Sequence, residues 1–194
     1  MYLVGFSGPP RSGKDSIAAR LAVIIENATE QWPQVLSLSM PMRKAVYAMA
    51  GMEYSLNHYE EWKDKPLAQF NGKSIRHEMI ELSERHVKPR LGAGFWGEAV
   101  TNQIWIGTKV VIVTDMGFNA ELKVFDEACG VGNCVWVQVE RPGTDWLLDS
   151  RSYIGDPAIS HVTQLWNGGT IEEAATRLYE RLVTQFGWKL GRGA

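Results

Sequence analysis

The sequence predicts a three-layer α/β domain built on a five-stranded, mainly parallel sheet, and three observations carry that expectation. Five short apolar or β-branched segments recur along the chain, and helical patterns separate them. One segment, Lys109 to Thr114, reads Lys-Val-Val-Ile-Val-Thr, a continuous apolar run of the kind found in a strand covered on both faces.

Taken in order, the first strand is Tyr2 to Phe6. The first helix covers Ser16 to Ile25, with Ile17, Leu21 and Ile24 on one face. Val35 to Ser39 is the second strand. A polar, mostly helical interval from about Pro41 to Trp105 follows, with helices expected over Ser74 to Val87 and Phe95 to Ile104. So long an excursion from a compact sheet reads as a substrate-binding insertion, 41–105. After the third strand, Asn119 to Cys129 starts with a capping-type Asn and stops before Gly130. Cys134 to Val139 is the fourth strand and His161 to Trp166 the fifth; the shorter excursion between them, 140–160, reads as a lid. Thr170 and Glu173 form a T-x-x-E capping box for the last helix, where Ile171, Ala174, Leu178, Leu182 and Phe186 recur at helical spacing. The whole, 1–194, reads as one domain.

Composition narrows the function. Among 194 residues, 20 Lys and Arg stand against 22 Asp and Glu, a net charge of -2. That balance argues against a nucleic-acid polymer or a membrane surface as partner, while leaving room for one focused basic cleft. No apolar run approaches the roughly 20 residues that span a bilayer. The start, Met1 to Phe6, lacks the basic region and cleavage site of a signal peptide. With only Cys129 and Cys134, a disulfide framework is excluded, and two reduced thiols in a cytoplasm are expected. His77-Glu78 is followed by Glu81 where a zinc-peptidase helix needs a second histidine.

The strongest motif is Gly8-Pro9-Pro10-Arg11-Ser12-Gly13-Lys14-Asp15-Ser16. Its G-x-x-x-x-G-K spacing, after a strand and opening a helix, is that of a phosphate-binding loop. Gly8 and Gly13 allow successive backbone N–H groups to point at phosphate oxygens. The helix start adds positive potential, and Lys14 a full charge near the β- and γ-phosphates. Asp15 replaces the usual hydroxyl residue, which arrives one position later as Ser16; Asp15 reads equally as a helix-start acid or a functional group. Ser16 is the better candidate for a phosphate or magnesium.

Further residues suggest what the loop serves. Asp115 follows the third strand, at the carboxyl edge where α/β sheets hold ligands, and could hold magnesium through water. The insertion contributes Arg43, Lys63, Lys65, Arg76, Arg85 and Arg90, and arginines can grip a phosphorylated acceptor bidentately. Phe95 and Trp96 could stack on a base or lie in the core. Arg141 and Arg151 could close over a transferring phosphoryl group.

Together the chain resembles the deoxynucleoside monophosphate kinases of tailed bacteriophages. Ser7-Gly8, Arg11 to Ser16, and Met40-Pro41-Met42-Arg43-Lys44-Ala45 carry the likeness. It continues through Ile75-Arg76 with Met79, Phe95-Trp96, Glu140-Arg141-Pro142-Gly143 and Asn167-Gly168-Gly169-Thr170. An aspartate followed by Ser or Thr, as in Asp15-Ser16, is usual in that family. The sequence departs at Gly117, where the family often has arginine, and in Asp149-Ser150-Arg151-Ser152, which lacks the family's lid histidine and glutamate.

The resemblance implies a P-loop kinase fold and transfer of the ATP γ-phosphoryl to a deoxynucleoside monophosphate, with Mg2+. Arg11, Ser12, Gly13, Lys14, Asp15 and Ser16 would bind ATP. Met42, Arg43, Arg76 and Trp96 would bind the monophosphate. Lys14, Asp115, Arg141 and Arg151 would act in transfer, with Ser16 and Asp115 serving the metal. It further suggests a homodimer. Two alternatives stay open: a P-loop kinase for another small phosphorylated or hydroxylated metabolite, and a non-catalytic nucleotide-binding module.

Overall fold

The computed structural model of the chain describes residues 1–130, 132–147, 151–155 and 161–191. Its sheet comprises β1 (Tyr2–Ser7), β2 (Gln34–Leu36), β3 (Val110–Val113), β4 (Cys134–Glu140) and β5 (His161–Trp166), in the order β2-β3-β1-β4-β5. Every neighbouring pair is parallel. Parallel neighbours need crossovers, and helices supply them. The central strands are apolar because both faces are covered: all of β3 and all but the first residue of β1 are buried. β5, at one edge, alternates along its exposed half.

Helices α1 (Lys14–Thr29) and α8 (Ile171–Thr184) cover one face. Ile17, Leu21 and Ile25 of α1 and Leu178 and Leu182 of α8 pack there with Val4, Phe6 and Val137. Helices α6 (Phe95–Thr101) and α7 (Asn119–Cys129) cover the other, where Leu122 and Phe125 meet Val111, Val113 and Trp136. Between β2 and α6 the chain forms α2 (Met40–Met49), α3 (Leu56–Trp62), α4 (Ile75–Glu81), a π-helical turn over Leu82–Val87 and α5 (Lys88–Leu91). This excursion has its own apolar cluster of Val46, Tyr47, Tyr59, Phe70, Ile75 and Met79.

Several boundaries differ from the sequence expectation for identifiable reasons. β2 ends at Leu36 because Ser37 to Ser39 turn away to donate to Asp115. α1 begins at Lys14, directly after Gly13 in the left-handed region at φ 88°. Asn119 does not cap α7: it is the first helical residue, and its Oδ1 accepts from the Gly155 N–H at 3.0 Å. Glu121 does that work, accepting from the N–H of Gly117 and of Phe118. The capping box of α8 forms as expected between Thr170 and Glu173.

The helix expected over Ser74 to Val87 widens at residue 82. Pro89 has no N–H for the carbonyl four residues back, and its ring crowds that carbonyl. The chain responds with a looser turn in which the Lys88 N–H donates to the Ser83 carbonyl, five residues earlier. In the 140–160 excursion, Asp149 and Ser150 of the expected lid lie outside the described residues.

Candidate active site

The site lies at the carboxyl ends of β1, β3 and β4, the edge where parallel α/β sheets place ligands. From β1 the chain runs through Gly8 to Gly13 into α1. The Ser12 N–H donates to the Pro9 carbonyl at 3.2 Å, closing the loop. Left-handed conformations occur at Gly13 and at Arg11, whose φ is 65°. Gly8 serves by its size, since a Cβ there would lie 2.7 Å from Ser12 Oγ and 2.9 Å from the Val139 carbonyl.

Two residues beyond the loop brace it. Asn167, buried just after β5, donates from Nδ2 to the Ser12 carbonyl at 2.7 Å. Arg141, just after β4, donates to the Arg11 carbonyl at 3.2 Å. A loop held from outside has less to reorganise when a ligand binds. Lys14 is 7% exposed at the head of α1. Asp15 lines the cavity, and its carboxyl is pushed above the ordinary carboxylate range. Partial loss of water is the main cause; Lys14 opposes it and Asp115 adds to it. Ser16 is exposed on the first turn of α1.

Asp115 is buried and takes its donors from the chain leaving β2. Oδ1 accepts from the Leu38 N–H at 2.5 Å; Oδ2 accepts from the Ser39 N–H at 3.1 Å, Ser37 Oγ at 2.9 Å and Ser39 Oγ at 2.5 Å. These four hydrogen bonds use about the full acceptor capacity of a carboxylate. They tie the start of α2 to the end of β3. Arg43 of α2 stands 3.8 Å from Oδ2, and its guanidinium lies 4.2 Å from the centroid of the Tyr59 ring. Its Nε is buried with no hydrogen-bond partner among the described residues.

A cavity of about 1140 Å3 joins these groups to the helical excursion. Arg11, Lys14, Asp15, Met42, Arg43, Arg76, Trp96, Asp115 and Arg151, all singled out from the sequence, line it. Ser12, Gly13, Ser16 and Arg141 belong to the adjoining loop, helix start and strand end. Arg76 is held by Asp64, with Nε donating to Oδ1 at 2.6 Å, and this bond keeps the Asp64 carboxyl below its ordinary range. Lys63 also faces the cavity. Lys65, Arg85 and Arg90 do not line it; Lys65 pairs with Glu61 and Arg85 with Glu81.

Gly117 explains how Arg151 reaches the cavity. A Cβ at position 117 would stand 2.6 Å from Arg151 Cγ and 2.9 Å from Arg151 Cβ. The arginine stem occupies the volume that a side chain at 117 would need. Arg151 also lies close enough to Arg76 for the two charges to oppose one another.

The far end of the cavity is apolar with polar punctuation. Trp96 is buried, packs edge-on against Phe95 at 5.1 Å, and donates from Nε1 to Ser83 Oγ at 3.1 Å. Ser83 Oγ donates to Glu84 Oε1 at 3.1 Å, and Lys88 Nζ donates to the same oxygen at 2.7 Å. Lys88 Nζ also stands 3.5 Å from the Phe118 ring centroid. Glu121 is 1% exposed, and burial pushes its carboxyl up to about 7 against the two N–H donors and Lys88.

Asp64, Ser83, Glu84, Lys88, Glu121 and Asn167 are site residues that reading the sequence for chemistry did not single out for these roles. Glu121 carried one local clue, its place three residues after Phe118 at a helix start. Asp64 carried none, being twelve residues from the arginine it holds.

No family model matches the chain, and no curated protein matches it. Solved structures resemble it in fold. A sugar kinase from Janibacter sp. HTCC2649 is 13% identical, with 98% of each chain covered and a TM-score of 0.45. The Mycobacterium tuberculosis APS kinase CysC, in complex with AMPPNP and APS, is 14% identical over 94% of this chain and 98% of its own, with a TM-score of 0.48. Thymidylate kinase from Candida albicans is 13% identical over 95% of this chain and 92% of its own, with a TM-score of 0.38.

Proposed function

We propose that the chain is an ATP-dependent kinase that transfers the γ-phosphoryl group to a deoxynucleoside monophosphate, giving the diphosphate and ADP. One observation carries the reading: the loop with Lys14 and the three arginines Arg43, Arg76 and Arg151 line one cavity, which Trp96 also lines. Lysine at a loop binds a nucleotide tail, arginines suit a second phosphate, and an aromatic wall suits a base.

In this reaction an oxygen of the acceptor phosphate attacks the γ-phosphorus, forming one P–O bond as the bond to the β–γ bridging oxygen breaks. An acceptor phosphate dianion needs no base to remove a proton. The protein therefore positions two anions and neutralises charge on the transferring oxygens. Lys14 and the loop N–H groups hold the donor, and Arg43 and Arg76 hold the acceptor. Arg151, which lines the cavity, would neutralise charge on the transferring group, while Arg141 would steady the loop through the Arg11 carbonyl.

Magnesium fits this donor set in its usual manner, bound by nucleotide phosphates, water and one or two protein oxygens. Among the described residues no group of three or more His, Cys, Asp or Glu could hold a metal unaided. Ser16 would supply the hydroxyl. Asp115 would reach a metal-bound water by exchanging the Ser37 or Ser39 hydroxyl for it. The ion would supply charge neutralisation on the phosphates.

The test is a coupled assay for ADP, with magnesium-ATP and a panel of deoxy- and ribonucleoside monophosphates, run beside Lys14→Ala. Turnover on monophosphates, reduced at least roughly a hundredfold in the variant, supports the reading. Turnover unchanged by Lys14→Ala, or none on any monophosphate, refutes it.

A further inference from the structure

The proposed acceptor has a base, and the far end of the cavity has a defined pattern of donors and acceptors to meet it. Arg76, Met79, Ile80, Ser83, Glu84 and Lys88 all line the cavity from one helical stripe. Eight residues at about 1.5 Å each separate Arg76 from Glu84, about 12 Å along the axis. That is the span of a nucleoside monophosphate from phosphate to base edge. The π-turn lies within this stripe, and such turns concentrate at functional sites. It places the Lys88 ammonium and the Glu84 carboxylate together beside Phe118, with Lys88 only 12% exposed. Glu121 lines the cavity too, close enough to Lys88 for the two charges to interact.

The end of the cavity thus presents one cationic donor and two carboxyl groups. Each base edge asks for a different complement. Guanine offers an acceptor at O6 and donors at N1 and N2, and so needs one donor and two acceptors. Cytosine offers one donor and two acceptors, the reverse. Thymine offers one donor between two acceptors, and adenine one donor beside one acceptor. Only guanine matches a lysine accompanied by two carboxyls. We infer that the acceptor is a guanine nucleotide, with Lys88 donating to O6 and the Glu84 and Glu121 carboxyls accepting from N1 and N2. Met42, Met79, Ile80 and Trp96 wall the ring. Glu121 keeps an acceptor oxygen in either protonation state.

This inference rests on the kinase reading above, and its test separates the two. The ratio of kcat/KM for dGMP to that for dAMP, dCMP and dTMP is measured in the parent, Glu84→Gln and Lys88→Met. The parent is expected to favour dGMP by roughly tenfold or more, the size expected where a polar edge is read. Each variant lowers that ratio several-fold, whereas a general loss of folding would lower all four acceptors alike. Glu84→Gln, at a half-exposed position, keeps the test open if Lys88→Met disturbs the helix. Preference for another base, or ratios unchanged in both variants, overturns the guanine assignment and leaves the kinase standing. No turnover on any monophosphate overturns both.

Discussion

Glu121 ties the stability of the fold to pH. The carboxyl sits in the first turn of α7, 1% exposed, and burial raises its pKa from an ordinary 4.5 to about 7. Below pH 4.5 it is protonated in both the folded and the unfolded chain and adds no penalty. As pH rises, the unfolded chain releases its proton first, which favours unfolding. The loss is complete once pH passes the folded value. A raised carboxyl pKa therefore means stability present at low pH and lost towards neutrality, here by about 3 kcal/mol between pH 4.5 and 7. The assay is urea unfolding at pH 5 and pH 8, followed by the fluorescence of the eight tryptophans. Parent protein and Glu121→Gln are compared at each pH. Glutamine keeps the shape and can still accept from the Gly117 and Phe118 N–H groups, but it never ionises. Other titrations are shared by both proteins and cancel. The difference between them should move towards the glutamine variant by about 2–3 kcal/mol from pH 5 to pH 8. An equal difference at both pH values would refute the reasoning.

Gly117→Ala should displace the Arg151 stem and lower kcat by roughly tenfold with ATP binding retained; steady-state kinetics and nucleotide titration check this, and unchanged kcat would show that Arg151 does not act from that position. Asn167→Ala removes the brace on the Ser12 carbonyl and should cost about 1–2 kcal/mol in urea unfolding, together with a raised KM for ATP. Asp115→Asn replaces one acceptor oxygen with an NH2 donor set against hydroxyl and backbone donors and should destabilise the fold by about 1–3 kcal/mol. Its kinetic mark should be a higher KM for the acceptor, because α2 carries Arg43; an effect on KM for ATP alone would contradict that linkage.

The sheet was legible because burial on both faces writes itself into composition. Val110 to Val113 could hardly be anything but a central parallel strand, and the regular return of such segments fixed the fold class. The loop between β1 and α1 was legible because its signals are local: glycines, lysine and helix start lie within nine residues. What escaped notice depends on distance in sequence. Asp64 means little until α3 and α4 bring it to Arg76, and Asn167 means little until β5 delivers it beneath Ser12. β2 ends earlier than its composition suggests for the same reason, since Ser37 to Ser39 leave the strand for an acceptor 76 to 78 residues away. The π-turn was half legible: Pro89 announces a disturbance, but only the fold shows that the helix widens instead of ending.

The cations in the cavity are held ready by acids. Arg76 rests on Asp64, Arg43 stands between Asp115 and the Tyr59 ring, and Lys88 rests on Glu84. Each pairing neutralises part of the charge but fixes where the cation sits. An arginine clamped by a carboxylate has lost most of its rotameric freedom before the ligand arrives, so less entropy is lost on binding. The pairing also sets a requirement. An incoming phosphate must either share the guanidinium with its carboxylate, through donors the carboxylate leaves unused, or displace it. Arg76 commits Nε and one terminal nitrogen to Asp64, which leaves further donors on the planar fork for a second anion. A lysine at position 76 would also keep spare N–H donors, but not the fixed planar fork that sets the direction of the arginine's remaining ones.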